Sequence, residues 1–197
     1  MKPATRKPEA KENTLSPDTP KHKMITGSKV RLRHKELKDA RNDHAWQTDA
    51  ELARLDAAPV LNLSLREYLS IYPEELRHYA SLNRHPFAIE TLDGRHIGNC
   101  VYYNINKIKG EAEVGVMIGE RSYWDKGYGA DALTTLVNHI FQQTNLKRVF
   151  LKTLDWNKRA QRCFRKCGFK PCGRLSKERF SFLLMEFQRT QWEKQQI

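Results

Sequence analysis

Apolar and polar residues alternate over residues 30–33 (VRLR), which predicts a first strand. Residues 36–57 then change to helical spacing, carried by Leu37, Ala40, His44, Leu52 and Leu55. A second helix starts at Ser64, where a serine followed three residues on by Glu67 makes a capping-box pattern. Pro73 disfavours helical geometry at Tyr72, so this helix is expected to stop there and restart at the proline. Residues 83–86 read as a break.

Beyond the break the period falls to two. Residues 86–91 and 96–105 flank Asp93-Gly94, a hairpin signal. Residues 111–118 form a third strand, with Val114, Val116 and Ile118 on one face and Glu113, Gly115 and Met117 on the other. These three strands read as an antiparallel meander. A glycine-containing loop over 122–129 leads into a helix whose apolar stripe is Ala132, Leu133, Leu136, Val137, Ile140 and Phe141. A strand over 148–154, a helix opening at Asn157 and stopping at Gly168, and two strands near 169–174 and 180–188 complete the chain. This order predicts an α/β fold with a mixed sheet, antiparallel strands first and a helical crossover in the middle.

Residues 1–28 lack any such pattern. They hold four of the eight prolines and no aromatic residue, too little apolar surface to offset ordering entropy. A disordered basic tail is therefore expected over 1–28, and one folded domain over 29–197. No stretch of about 18 apolar residues predicts a membrane-spanning helix, and no apolar run behind the basic start predicts a secretory signal. The four cysteines, Cys100, Cys163, Cys167 and Cys172, form no CxxC pair. That argues against a disulfide framework and a zinc site and for a cytoplasmic location. The histidines are scattered, and no metal is expected.

The net charge of +12 changes the picture because of where it sits. Residues 147–197 carry fourteen Lys/Arg against four acids, whereas residues 29–146 carry fifteen against sixteen. A basic region raises the local concentration of an anionic ligand. Nucleic acid, a phosphate-rich cofactor and an acidic protein surface all qualify, as does a solvated face with no partner.

Candidate chemistry lies between the third strand and the following helix, at Lys126, Gly127, Tyr128, Gly129 and Ala130. Free backbone N–H groups at a helix start form a concave anion site, and glycines let a phosphate approach. An ordinary helix entry with two turn glycines would read the same way.

Taken together, residues 113–118 (EVGVMI), 123–133 (YWDKGYGADAL) and 157–169 (NKRAQRCFRKCGF) resemble the GNAT superfamily of N-acetyltransferases. The likeness covers about residues 29–190. It is greatest to the branch of ribosomal-protein N-terminal and spermidine acetyltransferases. The resemblance implies a GNAT-like fold with a splayed parallel pair of strands and about four helices. It implies acetyl-CoA as cosubstrate, its pyrophosphate on the amides of residues 126–130 and its pantetheine arm along Met117 and Ile118. Asn157 is implied as a further contact, although a plain N-cap is the alternative. A homodimer would be in keeping with the family. The sequence departs from the family pattern at Trp124, where Arg or Gln is usual, and at Asp125, where Gly is common. It departs again at Phe164, where a Tyr usually supplies a proton.

Acetylating an amine requires a neutral nucleophile, a polarised thioester carbonyl and a leaving thiolate. Glu113 shares a strand face with Gly115 and Met117 and is the candidate base, acting through a water; a surface Glu paired with a basic neighbour is the alternative. Phe164 has no proton to give. Cys163 and Cys167 read as packed thiols, so transfer is expected to be direct. Arg159, Arg162, Arg165 and Lys166 make the second motif helix basic, able to meet a 3′-phosphate or to form a solvated face. Trp46, Tyr68 and Tyr72 are candidates for the acceptor pocket, with core packing the alternative. The expected activity is N-acetylation of a primary amine, with a protein N-terminus favoured over a polyamine or other small amine. The alternative is a catalytically weak module of the same fold that binds RNA or the ribosome.

Overall fold

A computed structural model of the chain describes residues 24–79 and 83–195. Eight strands form one sheet: β1 (Ile25–Thr26), β2 (Val30–His34), β3 (Arg84–Thr91), β4 (His96–Asn106), β5 (Glu111–Ile118), β6 (Arg148–Leu154), β7 (Lys170–Lys177) and β8 (Phe180–Gln188). Their spatial order is β1-β2-β3-β4-β5-β6-β8-β7. Every neighbouring pair is antiparallel except β5 and β6. The helices are α1 (Ala40–Gln47), α2 (Ala50–Leu55), α3 (Leu65–Tyr79), α4 (Tyr128–Gln143), α5 (Lys158–Lys166) and α6 (Arg189–Lys194), with short 3-10 turns at Leu37–Asp39 and Arg121–Tyr123.

The apolar stripe on α4 is buried throughout, against Val30, Leu32, Phe87, Ile89, Val114, Val149 and Met185. Each fully buried aliphatic side chain contributes roughly 1.5–3 kcal/mol, which fixes α4 as the crossover covering the sheet. The parallel pair it joins is short. Only Glu111↔Arg148, Ala112↔Val149 and Glu113↔Phe150 are in register. Beyond them the strands part, and residues 114–118 and 151–154 border a slot that begins where α4 enters.

Four local expectations change. The tail expected over 1–28 gives way to folded chain earlier: β1 pairs with β2, and the Asp131 carboxylate on α4 accepts from the N–H groups of Ser28, Lys29 and Val30 at 3.1, 2.7 and 3.0 Å. Gly27 allows this approach, since a Cβ there would lie 2.3 Å from Thr135 Oγ1. Residues 1–23 lie outside the described residues. The helix expected over 36–57 is broken after Gln47, because Asp49 caps a new helix by accepting from Glu51 N and Leu52 N, both at 3.0 Å. Pro73 does not interrupt α3, which runs unbroken from Leu65 to Tyr79. A proline forfeits one hydrogen bond inside a helix, and the burial of Tyr68 and Tyr72 on the face packed beneath α1 outweighs it. β3 begins at Arg84, inside the expected break, and Pro86 is tolerated in it because β2 ends opposite Phe87 and claims no N–H from the proline.

A buried polar network seats the early helices on the sheet. Arg33 on β2 donates to both oxygens of Asp39 at 2.8 and 2.6 Å and to Glu90 at 2.6 Å. Lys35 pairs with Asp43 at 2.7 Å, and Tyr72 donates to the same carboxylate at 2.6 Å. Trp46, Tyr68 and Tyr72 are thus core residues and line neither cavity of the site.

Candidate active site

The glycine loop takes its shape from backbone geometry. Asp125 and Gly127 both adopt positive φ, 57° and 87°, which bends the chain into the first turn of α4. No backbone N–H of residues 126–130 has a partner among the described residues; the first donor engaged inside the turn is Asp131, to Gly127 O at 3.0 Å. Unpaired amides at a helix N-terminus, joined to the helix dipole, make an anion cradle. A Cβ added at Gly129 would meet only Ile118 Cγ1 at 3.6 Å and Cys163 Sγ at 3.8 Å, on the wall of the adjoining groove.

That groove has a volume of about 230 Å³. Its walls are Val116, Met117 and Ile118 from β5, the loop residues Trp124, Asp125, Gly127, Gly129 and Ala130, and Arg159, Arg162, Cys163 and Lys166 from α5. Three cations therefore face the cradle from α5, against the single loop acid Asp125. Arg159 rests its guanidinium 3.5 Å from the Trp124 ring centre. Trp124, the departure from the family pattern, donates its indole N–H to Ile118 O at 2.7 Å and so pins the loop to the end of β5. Neither Lys126 nor Tyr128 is among the groove's lining residues: the Lys126 side chain is exposed, and the Tyr128 ring packs edge-on against Tyr123 at 4.9 Å.

A second cavity, about 380 Å³, opens on the other side of the slot. It is bounded by Tyr103, Glu113, Gly115, Lys152 and the β7–β8 hairpin residues Leu175, Lys177, Glu178, Phe180 and Phe182. The two cavities share Leu55, Asp56, Val116, Asn157, Ala160 and Phe164, so they meet where β5 and β6 part. Asn157 is an N-cap, its Oδ1 accepting from Ala160 N at 3.2 Å, and it lines both cavities at once. Phe164 is buried at the junction and offers no hydroxyl.

Glu113 lines the second cavity, and its carboxylate is fully engaged. Tyr103 donates to it at 2.7 Å, Asn104 at 3.0 Å, and Lys152 Nζ stands 3.0 Å away. Two consecutive strand residues reach one carboxylate because β4 bulges here, with Asn104 at φ 51°. Burial, then the bond to Glu113, pushes the Tyr103 hydroxyl well above its ordinary range. Sequence reading did not single out Asp56, at the end of α2. Asp56 keeps solvent-accessible surface at the cavity mouth while protein crowds the rest of it. Although Asp56 is exposed, the protein packed around it pushes its carboxyl upward against the opposing charge of Arg84.

The sequence pattern described as the Acetyltransferase (GNAT) domain matches residues 29–170. An uncharacterized N-acetyltransferase p20 of Bacillus licheniformis is 26% identical over 148 residues, covering 75% of this chain and 82% of the relative. The spermidine N-acetyltransferase of Vibrio cholerae, solved with CoA and spermine, superposes with a TM-score of 0.73 at 20% identity, over 83% of this chain and 98% of that one. The aminoglycoside acetyltransferase AAC(6')-Ib, solved with coenzyme A, gives 0.72 at 20% identity, over 85% and 99%. Cradle, groove and parted strands lie within the matched span, and the chain belongs to the GNAT family of acetyltransferases, whose cosubstrate is acetyl-CoA.

Proposed function

We propose that the protein transfers an acetyl group directly from acetyl-CoA to a primary amine, and that a peptide N-terminus is the acceptor class this site suits. The observation that carries the reading is the meeting of two cavities, one rimmed by unpaired amides and cations and the other open to the hairpin, at the point where β5 and β6 separate. Bound there, acetyl-CoA supplies an acetyl group activated as a thioester. The amides of Lys126, Gly127, Tyr128, Gly129 and Ala130 hold its diphosphate, with Arg159, Arg162 and Lys166 offsetting further phosphate charge. Met117 and Ile118 border its pantetheine arm; Ile118 O already accepts from Trp124, which leaves that carbonyl one lone pair for a strand-like pairing. The Asn157 carboxamide stands at the junction to polarise the reacting carbonyl.

Charge in the second cavity argues for the acceptor. Its walls hold three carboxylates, Asp56, Glu113 and Glu178, against two lysines, and Lys152 already neutralises Glu113. A polyamine such as the spermine bound to the Vibrio protein carries several positive charges and calls for a larger carboxylate excess. An α-amine carries one, and its pKa near ~8 makes it easier to deprotonate than an alkylamine near ~10. The apolar walls, including Leu175, Phe180 and Phe182, suit a peptide with an apolar first side chain. Glu113, expected from sequence to be the base, acts here as a fixed charge that orders Tyr103 and Lys152. The exposed Cys172 thiol fits a reducing cytoplasm.

The test is an acceptor panel: short peptides of varied first residue, polyamines and simple amines, followed by release of the coenzyme A thiol and by mass of the product. Turnover is expected on peptides, at lower kcat/KM on polyamines. Absence of turnover on every amine, together with salt-sensitive RNA binding, would replace this reading with that of a non-catalytic module.

A further inference from the structure

We infer that Asp56 docks the acceptor's ammonium at the junction of the two cavities and takes its proton. This inference rests on the reading above. Among the residues shared by both cavities, Asp56 is the one carboxylate. Its carboxylate has no hydrogen bond or ion pair among the described residues, in contrast to that of Glu113 with three. A carboxylate beside a slot, open to one further donor, is the group an incoming ammonium can pair with.

The position of Asp56 is fixed by the ties on α2. At one end Arg121 binds Asp49 at 2.8 Å and Glu51 at 3.0 Å, joining α2 to the turn that follows β5. At the other, the Arg54 guanidinium lies 4.6 Å from the ring centre of Trp156, across the slot on the loop between β6 and α5. The helix ends at once, with Asp56 as its C-cap and Ala57 at φ 53°. α2 is thus a roof held on both banks of the slot, and Asp56 is its inner end.

The step balances as follows. Asp56 accepts one proton from the R–NH3+ acceptor, and the freed lone pair attacks the thioester carbonyl carbon. The C–N bond forms, the C–S bond breaks, and the sulfur leaves with its electron pair. One of the two remaining amine protons passes to that thiolate, the other stays on the amide, and Asp56 returns its proton to water. Crowding at Asp56 favours its protonated form and so strengthens it as a base. Arg84 on β3 and Tyr103 on β4 interact with its charge; the other charged groups lining the two cavities it joins are Glu113 on β5, Lys152 on β6, Lys177 on β7, Glu178 in the hairpin turn, Asp125 in the loop, and Arg159, Arg162 and Lys166 on α5.

The experiment compares Asp56→Asn, Asp56→Glu and Glu113→Gln with the wild-type chain on the peptide acceptor that turns over fastest, with kcat/KM followed from pH 5 to 10 and coenzyme A affinity measured by calorimetry. Asp56→Asn is expected to lose roughly 100-fold or more in kcat/KM at neutral pH. Its acid limb should move up to the amine's own pKa, near ~8, with coenzyme A affinity held within about threefold of wild type. Asp56→Glu should recover part of the loss, and Glu113→Gln should leave the limb in place. An Asp56→Asn enzyme with wild-type rate and profile overturns the inference while the acetyltransferase reading stands. A limb shifted by Glu113→Gln instead assigns the proton to Glu113. A wild-type chain inactive on every amine overturns both readings.

Discussion

Gly129 separates binding from folding more cleanly than any other residue of the loop. A methyl there meets ordinary van der Waals contacts and replaces a glycine in the first turn of α4, so the fold loses nothing and gains helix propensity. The same methyl stands between Ile118 and Cys163 on the groove wall. Gly129→Ala is therefore expected to keep or slightly raise the melting temperature while weakening coenzyme A at least tenfold, about 1.4 kcal/mol or more; calorimetry on the folded variant reads both. Gly127 would not discriminate, since its φ of 87° strains any side chain. At this scale the cradle was legible from sequence, because glycine spacing at a helix start is a local signal. The engagement of Glu113 was not. It depends on a bulge at Asn104 and on Lys152 from another strand, and neither leaves a trace in the pattern of residues 111–118.

Among the elements, the early helices show how tertiary ties override local preference. Helical spacing carried the expected helix across Thr48, and only the side chain of Asp49 divides it. Pro73 sits inside α3 because the two tyrosines that precede it, Tyr68 and Tyr72, are buried beneath α1. The clamp under these helices makes a stability prediction. Arg33→Ala leaves Asp39 and Glu90 buried without their partner, an effect on the order of 3–5 kcal/mol, to be read as a fall in denaturation midpoint. The acid response follows from Asp39. Burial pushes its carboxyl up, but the Arg33 bond, the Glu36 amide and the Lys35 charge outweigh burial and hold it below its ordinary value. Its folded pKa is depressed. The stability it contributes is thus complete above the unfolded value near ~4 and is lost as pH falls through the folded one. Denaturation midpoints measured below about pH 4 should fall in wild type, and less steeply in Arg33→Ala.

Across the whole molecule, the sheet carries the function by a failure of pairing. β5 and β6 hold register for three residues and then diverge, while β6 continues in full register with β8. One strand of the slot therefore belongs to the meander and the other to the C-terminal hairpin. The element order, the mixed sheet and the crossover could be read from periodicity, since each follows from its own segment. The place where two strands separate could not, because it depends on packing between distant segments. Asp56 stayed hidden for the same reason: it reaches the slot only when α2 is tied across it. From the basic C-terminal region, Arg159, Arg162 and Lys166 line the groove beside the unpaired amides. The most direct test is an experimental structure of the chain with coenzyme A. The diphosphate oxygens are predicted within about 3 Å of the amide nitrogens of residues 126–130, with the sulfur reaching the junction beside Val116, Asn157 and Asp56. A coenzyme bound elsewhere, or a loop left empty at saturating ligand, would contradict the account.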